Sequence, residues 1–203
     1  MNEAGLFATI MARASGRERL IVAIAGAPGS GKSTLAERLR DKIEASGERV
    51  AVVPMDGFHF DDRVLVARGL LTRKGAPETF DFAGFRHLML RLRAREADVA
   101  IPVFDRSIEI ARAGAAIVPA ETRIILAEGN YLLLDEAPWD SLAGAFDLTV
   151  WLDVPVDELE RRLVRRWLDH GFAPDKARNK ALSNDIPNAR RVAAGSRKAD
   201  FTL

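Results

Sequence analysis

The stretch Leu20-Ile21-Val22-Ala23-Ile24-Ala25-Gly26-Ala27-Pro28-Gly29-Ser30-Gly31-Lys32-Ser33-Thr34 decides the fold of this chain. Ile21 to Ala25 is a short apolar run with branched residues, stopped by a glycine. Such a run reads as a strand buried on both faces, the kind found in parallel sheets. The next eight residues, Gly26 to Ser33, fit the pattern G-x-x-x-x-G-K-[ST]. Glycines in that loop let backbone N–H groups turn inward and surround phosphate oxygens. Lys32 supplies a mobile positive charge for the β- and γ-phosphates, the Ser33 hydroxyl is the expected Mg²⁺ ligand, and the following helix adds its positive N-terminal end. Gly26, Ala27, Pro28, Gly29, Ser30, Gly31, Lys32, Ser33 and Thr34 are therefore read as the seat of a nucleoside triphosphate, ATP by expectation, with magnesium. A ligand-free Gly-rich turn is disfavoured because strand, loop and helix all stand where the phosphate chemistry needs them.

Working outward, Leu35, Leu39 and Ile43 recur every four residues and Gly47 follows as a stop, so a helix is expected over about 32–46. Val50 to Val53 gives the next strand, running into Pro54-Met55-Asp56-Gly57. Strand, loop, helix and strand make a βαβ unit with a right-handed crossover. Further on, Phe85, Leu88, Met89 and Leu92 form an apolar stripe at helical spacing, with Asp81 as its cap. Val99 to Phe104 reads as extended and carries Pro102, and Ala115 to Val118 is a weaker strand. Ile124 to Ala127 is a strong buried strand ending at Glu128-Gly129-Asn130, and Leu148 to Leu152 is another. Val156, Leu159, Leu163 and Trp167 line a helix face, and from Pro174 onward shorter helices, broken near Pro187, are expected. Leu6, Phe7, Ile10 and Met11 suggest a short amphipathic helix at the start. Trp139, Trp151 and Trp167 are read as core. Alternating strands and helices give a three-layer α/β fold with a mostly parallel sheet, and one domain over 1–203 suffices.

The 203 residues are 48% hydrophobic and 29% charged, an ordinary globular composition. A formal net charge of +1 demands neither nucleic acid nor a membrane as partner. With no cysteine, disulfides and thiolate metal sites are excluded. No apolar run nears 18 residues and no signal-peptide layout opens the chain, so the cytoplasm is the expected location. A homodimer is left open.

A guanine reader of the Asn-Lys-x-Asp type is missing, because Asn179-Lys180-Ala181-Leu182 lacks the acid. The Ser-Gly-Gly-Gln signature of transporter ATPases is missing too. What remains is a kinase acting on a small metabolite. Asp56-Gly57-Phe58-His59, Arg73-Lys74-Gly75-Ala76-Pro77-Glu78-Thr79-Phe80-Asp81, Pro102-Val103-Phe104-Asp105, Glu128-Gly129-Asn130 and Arg162-Leu163-Val164-Arg165-Arg166 come in a familiar order. Over about residues 20–190 the chain resembles the P-loop kinase superfamily of uridine kinases, phosphoribulokinases and type I pantothenate kinases. Within it the likeness is to small bacterial proteins called fructose transport system kinases or nucleoside-kinase-like proteins, which also share Asn184-Asp185-Ile186-Pro187-Asn188-Ala189. The resemblance implies a P-loop NTPase fold with a five-stranded sheet and a helical lid over about 161–187. It also implies ATP-dependent transfer to a hydroxyl of a sugar such as fructose, a nucleoside or pantothenate.

The residues can be weighed beside it. Asp56 ends a strand at the carboxyl edge where ligands bind such sheets, so its carboxylate could take the acceptor's hydroxyl proton; the resemblance assigns it that role, and a turn-forming aspartate is the alternative. Glu128 closes its strand where an acid meets Mg²⁺ or the acceptor, or else caps a turn. Glu158/Arg162 and Asp157/Arg161 are ordinary helix pairs, but Arg162/Arg166 puts like charges four apart, and Asp169 could relieve Arg165 and not Arg166. Arg166, then Arg162 and Arg165, are the expected phosphate-facing residues, with a solvated basic face as the alternative. His59, Phe60, Lys74, Phe104, Asp105 and Arg106 are acceptor-pocket candidates because they flank strand ends on the same edge. Asn188 is placed near the adenine by position alone. Uridine kinases hold the ribose with an aspartate where this chain has Gly75, and Arg73-Lys74-Gly75 resembles the pantothenate kinase pattern more. A purely nucleotide-sensing protein stays open as a second class.

Overall fold

The computed structural model describes residues 2–203. The run that opened the reading is β1, Leu20–Gly26, buried along its whole length. It leads through the loop into α2, Lys32–Ala45, whose Leu35, Leu39 and Ile43 face inward; α1, Glu3–Ala14, precedes β1 and buries Leu6 and Ile10. The chain then forms β2, Val50–Pro54, a short α3, Asp62–Ala67, and α4, Phe82–Arg93. Asp81 caps α4, accepting from the Gly84 N–H at 2.9 Å. Next come β3, Val99–Asp105, β4, Ile110–Val118, β5, Ile124–Gly129, and β6, Leu148–Leu152. The remainder is α5, Val156–Asp169, α6, Pro174–Lys180, α7, Ile186–Gly195, and β7, Phe201–Thr202.

Five strands form one sheet in the order β2-β5-β1-β6-β7, every pair parallel. The register sets Glu128 beside Ile24 and Pro54, so the ends of β1, β2 and β5 meet at one edge. Two apolar layers sandwich the sheet. One gathers Phe80, Phe85, Tyr131 and Trp139 with α4; the other gathers α1 and α2 with Leu20, Val22 and Ile24. A third cluster ties α5, α6 and α7 to Ala27 of the phosphate loop through Leu159, Leu163, Trp167 and Ile186.

Two expectations change, and the extended run over 99–104 gains its partner. Val99–Asp105 does not join the main sheet: with Ile110–Val118 it makes an antiparallel hairpin. Its register shifts between Ile101 and Val103, around Pro102, which has no N–H to give the ladder. The fifth strand of the sheet is instead Phe201–Thr202, in the region read as helical. Nor does Pro187 break the helix. It lies in the first turn of α7, where its missing N–H costs little, and a π-helical turn at Ala181–Asp185 widens the backbone just before it. Of the three tryptophans, Trp139 is fully core, Trp151 is half-buried against the same cluster, and Trp167 belongs to the third.

Candidate active site

The phosphate loop takes its shape from residues that only glycine suits. Gly31 caps α2 with φ +97°, in the left-handed region that side chains disfavour. Lys32 is buried, and its Nζ donates to the Ala27 carbonyl at 3.0 Å. Burial presses its pKa down, while the Glu128 and Asp56 charges hold it up. The loop's open side faces a cleft of about 350 Å³. Lys32, Ser33, Thr34, Asp56, Glu128 and Arg166 are on its wall, joined by Arg106, Asn130 and Arg162.

Asp56 sits in a tight turn, Met55–Phe58, that follows β2. The turn is pressed against the hairpin so closely that a Cβ on Gly57 would meet the Pro102 carbonyl. That contact brings the hairpin tip over the cleft, where Arg106 donates to the Asp56 carboxylate in an ion pair. Burial pushes the Asp56 pKa up, but the surrounding charges of Arg106, His59, Lys32 and Arg166 outweigh it and hold the carboxyl below its ordinary range. Across the cleft Glu128 is buried and enters no ion pair among the described residues. Burial and the Asp56 charge push its pKa up to about 7, against the pull of Lys32 and the Ser33 hydroxyl. Two acids in one cleft are thus driven apart, one kept ionised and one held near neutrality, a division that acid–base chemistry uses.

His59 stands behind Asp56, its Nδ1 at 2.8 Å from the Asp56 carbonyl oxygen and its ring between Phe80 and Phe104 at centroid distances of 4.0 and 4.8 Å. Burial lowers its pKa. A neutral ring that donates from Nδ1 leaves Nε2 free to accept.

On α5, Arg162 donates to the Ser30 carbonyl at 3.2 Å and to Glu158 at 2.6 Å, fastening the helix to the phosphate loop. Arg161 also pairs with Glu158, not with Asp157 as its spacing suggested. Arg165 turns outward to Asp169 at 2.9 Å, as the four-residue spacing implied. Arg166 enters no ion pair among the described residues and points into the cleft, its guanidinium pressed by burial and by Arg106.

Arg165 is thus off the cleft wall, and other expected residues stand off it as well. Lys74 is held by Asp62 at 2.7 Å and the Glu109 carbonyl at 2.8 Å. Asp105 closes the hairpin turn through Ser107 and Arg112. Phe60 lies under Arg68. Asn188 is buried in α7, bonded to Asn184 at 3.3 Å. Phe104 supports the site from below, its ring 5.0 Å from the Arg106 guanidinium carbon. Sequence reasoning assigned no role to Asn130, although it adjoins Glu128-Gly129, and did not foresee that Arg106 and Asp56 pair.

Phosphate loop, parallel sheet and a cleft of opposed carboxylates and arginines define a P-loop kinase. More specifically, the chain belongs to the phosphoribulokinase / uridine kinase family, whose model matches residues 21–188. Members of that family are kinases that use ATP. The chain is similar to the "putative fructose transport system kinase" from Silicibacter sp. TM1040, a solved structure with 49% identity and a TM-score of 0.95 that covers 100% of this chain and 99% of that one. It is 34% identical over 189 residues to the uncharacterized protein YggC of Escherichia coli K12, covering 92% of this chain and 78% of YggC. With the "putative uridine kinase C227.14" of Schizosaccharomyces pombe it shares 32% over 201 residues, 92% of this chain and 83% of the relative. Among the described residues no helix is long and apolar enough to cross a membrane.

Proposed function

We propose that the protein moves the γ-phosphate of ATP to a hydroxyl of a small metabolite. The observation that carries this reading is the meeting of Lys32, Asp56, Glu128 and Arg166 on one cleft wall beside the phosphate loop. Loop N–H groups and Lys32 hold the phosphates, and Asp56 accepts the acceptor's hydroxyl proton. The freed oxygen forms a bond to the γ-phosphorus while the bond to the β,γ-bridging oxygen breaks, leaving ADP. Arg166, and Arg162 from the same helix, stabilise the charge on the transferring group. Holding the hydroxyl in line with the γ-phosphate supplies most of the remaining gain.

The Ser33 hydroxyl and the Glu128 carboxyl are hard oxygen donors at a helix N-terminus, which suits Mg²⁺. Among the described residues no group of three or more acids, histidines or cysteines could cage an ion. The cation would therefore be shared between these two side chains and phosphate oxygens, and its chemistry is charge neutralisation on the phosphates. Glu128 is equally placed to hold the acceptor.

Fructose enters as an acceptor through the name of the Silicibacter neighbour, and nucleosides through the family. Gly75, whose carbonyl is taken by the Tyr131 hydroxyl at 2.6 Å, stands where uridine kinases carry the ribose-holding aspartate and keeps pantothenate on the panel. Acceptor-dependent ADP release, measured across sugars, nucleosides and pantothenate, tests the reading. Turnover with at least one class is expected. Tight ATP binding with no acceptor-dependent release across the panel would favour a nucleotide sensor instead.

A further inference from the structure

Asp185 closes the π-helical turn that joins α6 to α7, where the Ile186 N–H reaches back five residues to the Ala181 carbonyl. Such turns recur at functional sites. Here the turn aims two adjacent side chains at different parts of the molecule. Asn184 donates to the Lys74 carbonyl at 2.8 Å, its own amide oxygen accepting from Asn188 at 3.3 Å. Asp185 accepts from the Trp167 indole N–H at 2.7 Å. The turn is thereby pinned between the loop at Lys74 and the helix α5 that carries Arg166.

Asp185 is partly buried and enters no ion pair among the described residues. A carboxylate so placed, with one neutral donor, is costly unless the field of a cation reaches it. Three cations face it: Arg166, Lys180 and Arg106. Lys180 stands off the cleft, its Nζ 4.0 Å from the centroid of the Trp167 ring. Arg166 lies over the same ring, its guanidinium carbon 5.6 Å from the centroid, and points into the cleft. There it meets Lys32, Arg106 and Arg162, like charges that favour turning a flexible side chain out to water, as Arg165 turns out to Asp169. Asp185 opposes that drive from behind. Of the acids acting on Arg166 it weighs most, ahead of Asp56 and Glu109. In return, burial raises the Asp185 pKa against the pull of the Trp167 bond and the Arg166 charge.

Asp185 is not itself on the cleft wall. An acid at contact distance would have to give up its ion pair whenever the guanidinium met a phosphate, whereas one set behind an indole orients without a bond to break. Resting on the kinase reading, we infer that Asp185 is a positioning residue for Arg166: anchored by Trp167, its carboxylate keeps the guanidinium aimed at the transferring phosphate before the substrates arrive.

The test is a double-mutant cycle between Asp185→Asn and Arg166→Met, with a second cycle on Arg106→Met. Asparagine keeps an oxygen for the Trp167 indole and removes only the charge, so the thermal midpoint should hold within about 2 °C. In the wild-type background Asp185→Asn should lower kcat on the best acceptor by about tenfold and leave KM for that acceptor within about twofold. With Arg166→Met in place it should cost less than about twofold, because no guanidinium remains to be positioned; with Arg106→Met in place the tenfold loss should persist. Equal losses with and without Arg166 mark a merely structural role and overturn the inference. So does a loss that vanishes in Arg106→Met instead, or no loss in the wild-type background. Should no acceptor be turned over at all, the kinase reading fails, and calorimetric binding of a non-hydrolysable ATP analogue relative to ADP decides the role of Asp185 by itself. A preference for the triphosphate that Asp185→Asn lowers by about threefold only while Arg166 is present supports the inference, and an unchanged preference overturns it.

Discussion

At the scale of single residues, the cleft depends on charges held in unequal states. Glu128 has a folded-state pKa near 7 against an ordinary 4.5, so the fold prefers its protonated form. Its contribution to stability is fully present below about pH 4.5 and is lost as pH rises toward 7. Glu128→Gln removes the charged form altogether. Urea unfolding of the metal-free proteins should show the variant gaining on wild type by about 2 kcal/mol between about pH 5 and pH 8, and curves that stay parallel would contradict the assignment. The two neighbouring arginines give a second contrast. Arg166→Ala should lower kcat by about 10²–10³, while Arg165→Ala, paired outward with Asp169, should change it by less than about twofold. Lys32 and Ser33 were legible because their spacing encodes a backbone geometry. The outward turn of Arg165 was missed: it was expected to face phosphate, although Asp169, four residues on, could hold it and does. The pairing of Arg106 with Asp56 was not legible, because those residues lie 50 apart in sequence and meet only through the hairpin's packing.

At the scale of elements, the site depends on the turn after β2 sitting tight against the hairpin. Gly57→Ala should press a methyl group into the Pro102 carbonyl, costing about 1–3 kcal/mol and lowering turnover by shifting Asp56. Gly144→Ala, where a Cβ meets nothing within 4 Å, is the control and should leave the thermal midpoint nearly unchanged. Elements with strong periodicity were legible: α2 and α4 bury the stripe their spacing marks, and α5 buries Leu159, Leu163 and Trp167 of its stripe while Val156 in its first turn stays exposed. One placement left open and one error have physical causes. An extended run carrying proline reads the same whether it joins a central sheet or a separate hairpin, and only the partner strand decides. A two-residue strand such as β7 has no period at all; its place is fixed by the Leu203 N–H reaching the Trp151 carbonyl at 3.0 Å and by burial of Phe201.

At the scale of the whole molecule, a parallel sheet delivers the ends of β1, β2 and β5 to one edge, a helical cluster leans over that edge from α5, and a hairpin closes it from the other side. The first of these was readable from apolar runs and glycine punctuation, which dictate buried parallel strands. The closure was readable only in part, since it depends on contacts between distant segments. The chemistry proposed for this cleft turns on Asp56 receiving the acceptor's proton. The most direct measurement compares Asp56→Asn with wild type on the best acceptor, following both acceptor-dependent ADP release and ATP affinity. A fall in kcat of about 10²–10⁴ with ATP binding nearly unchanged is the predicted result. Full turnover by Asp56→Asn would contradict it.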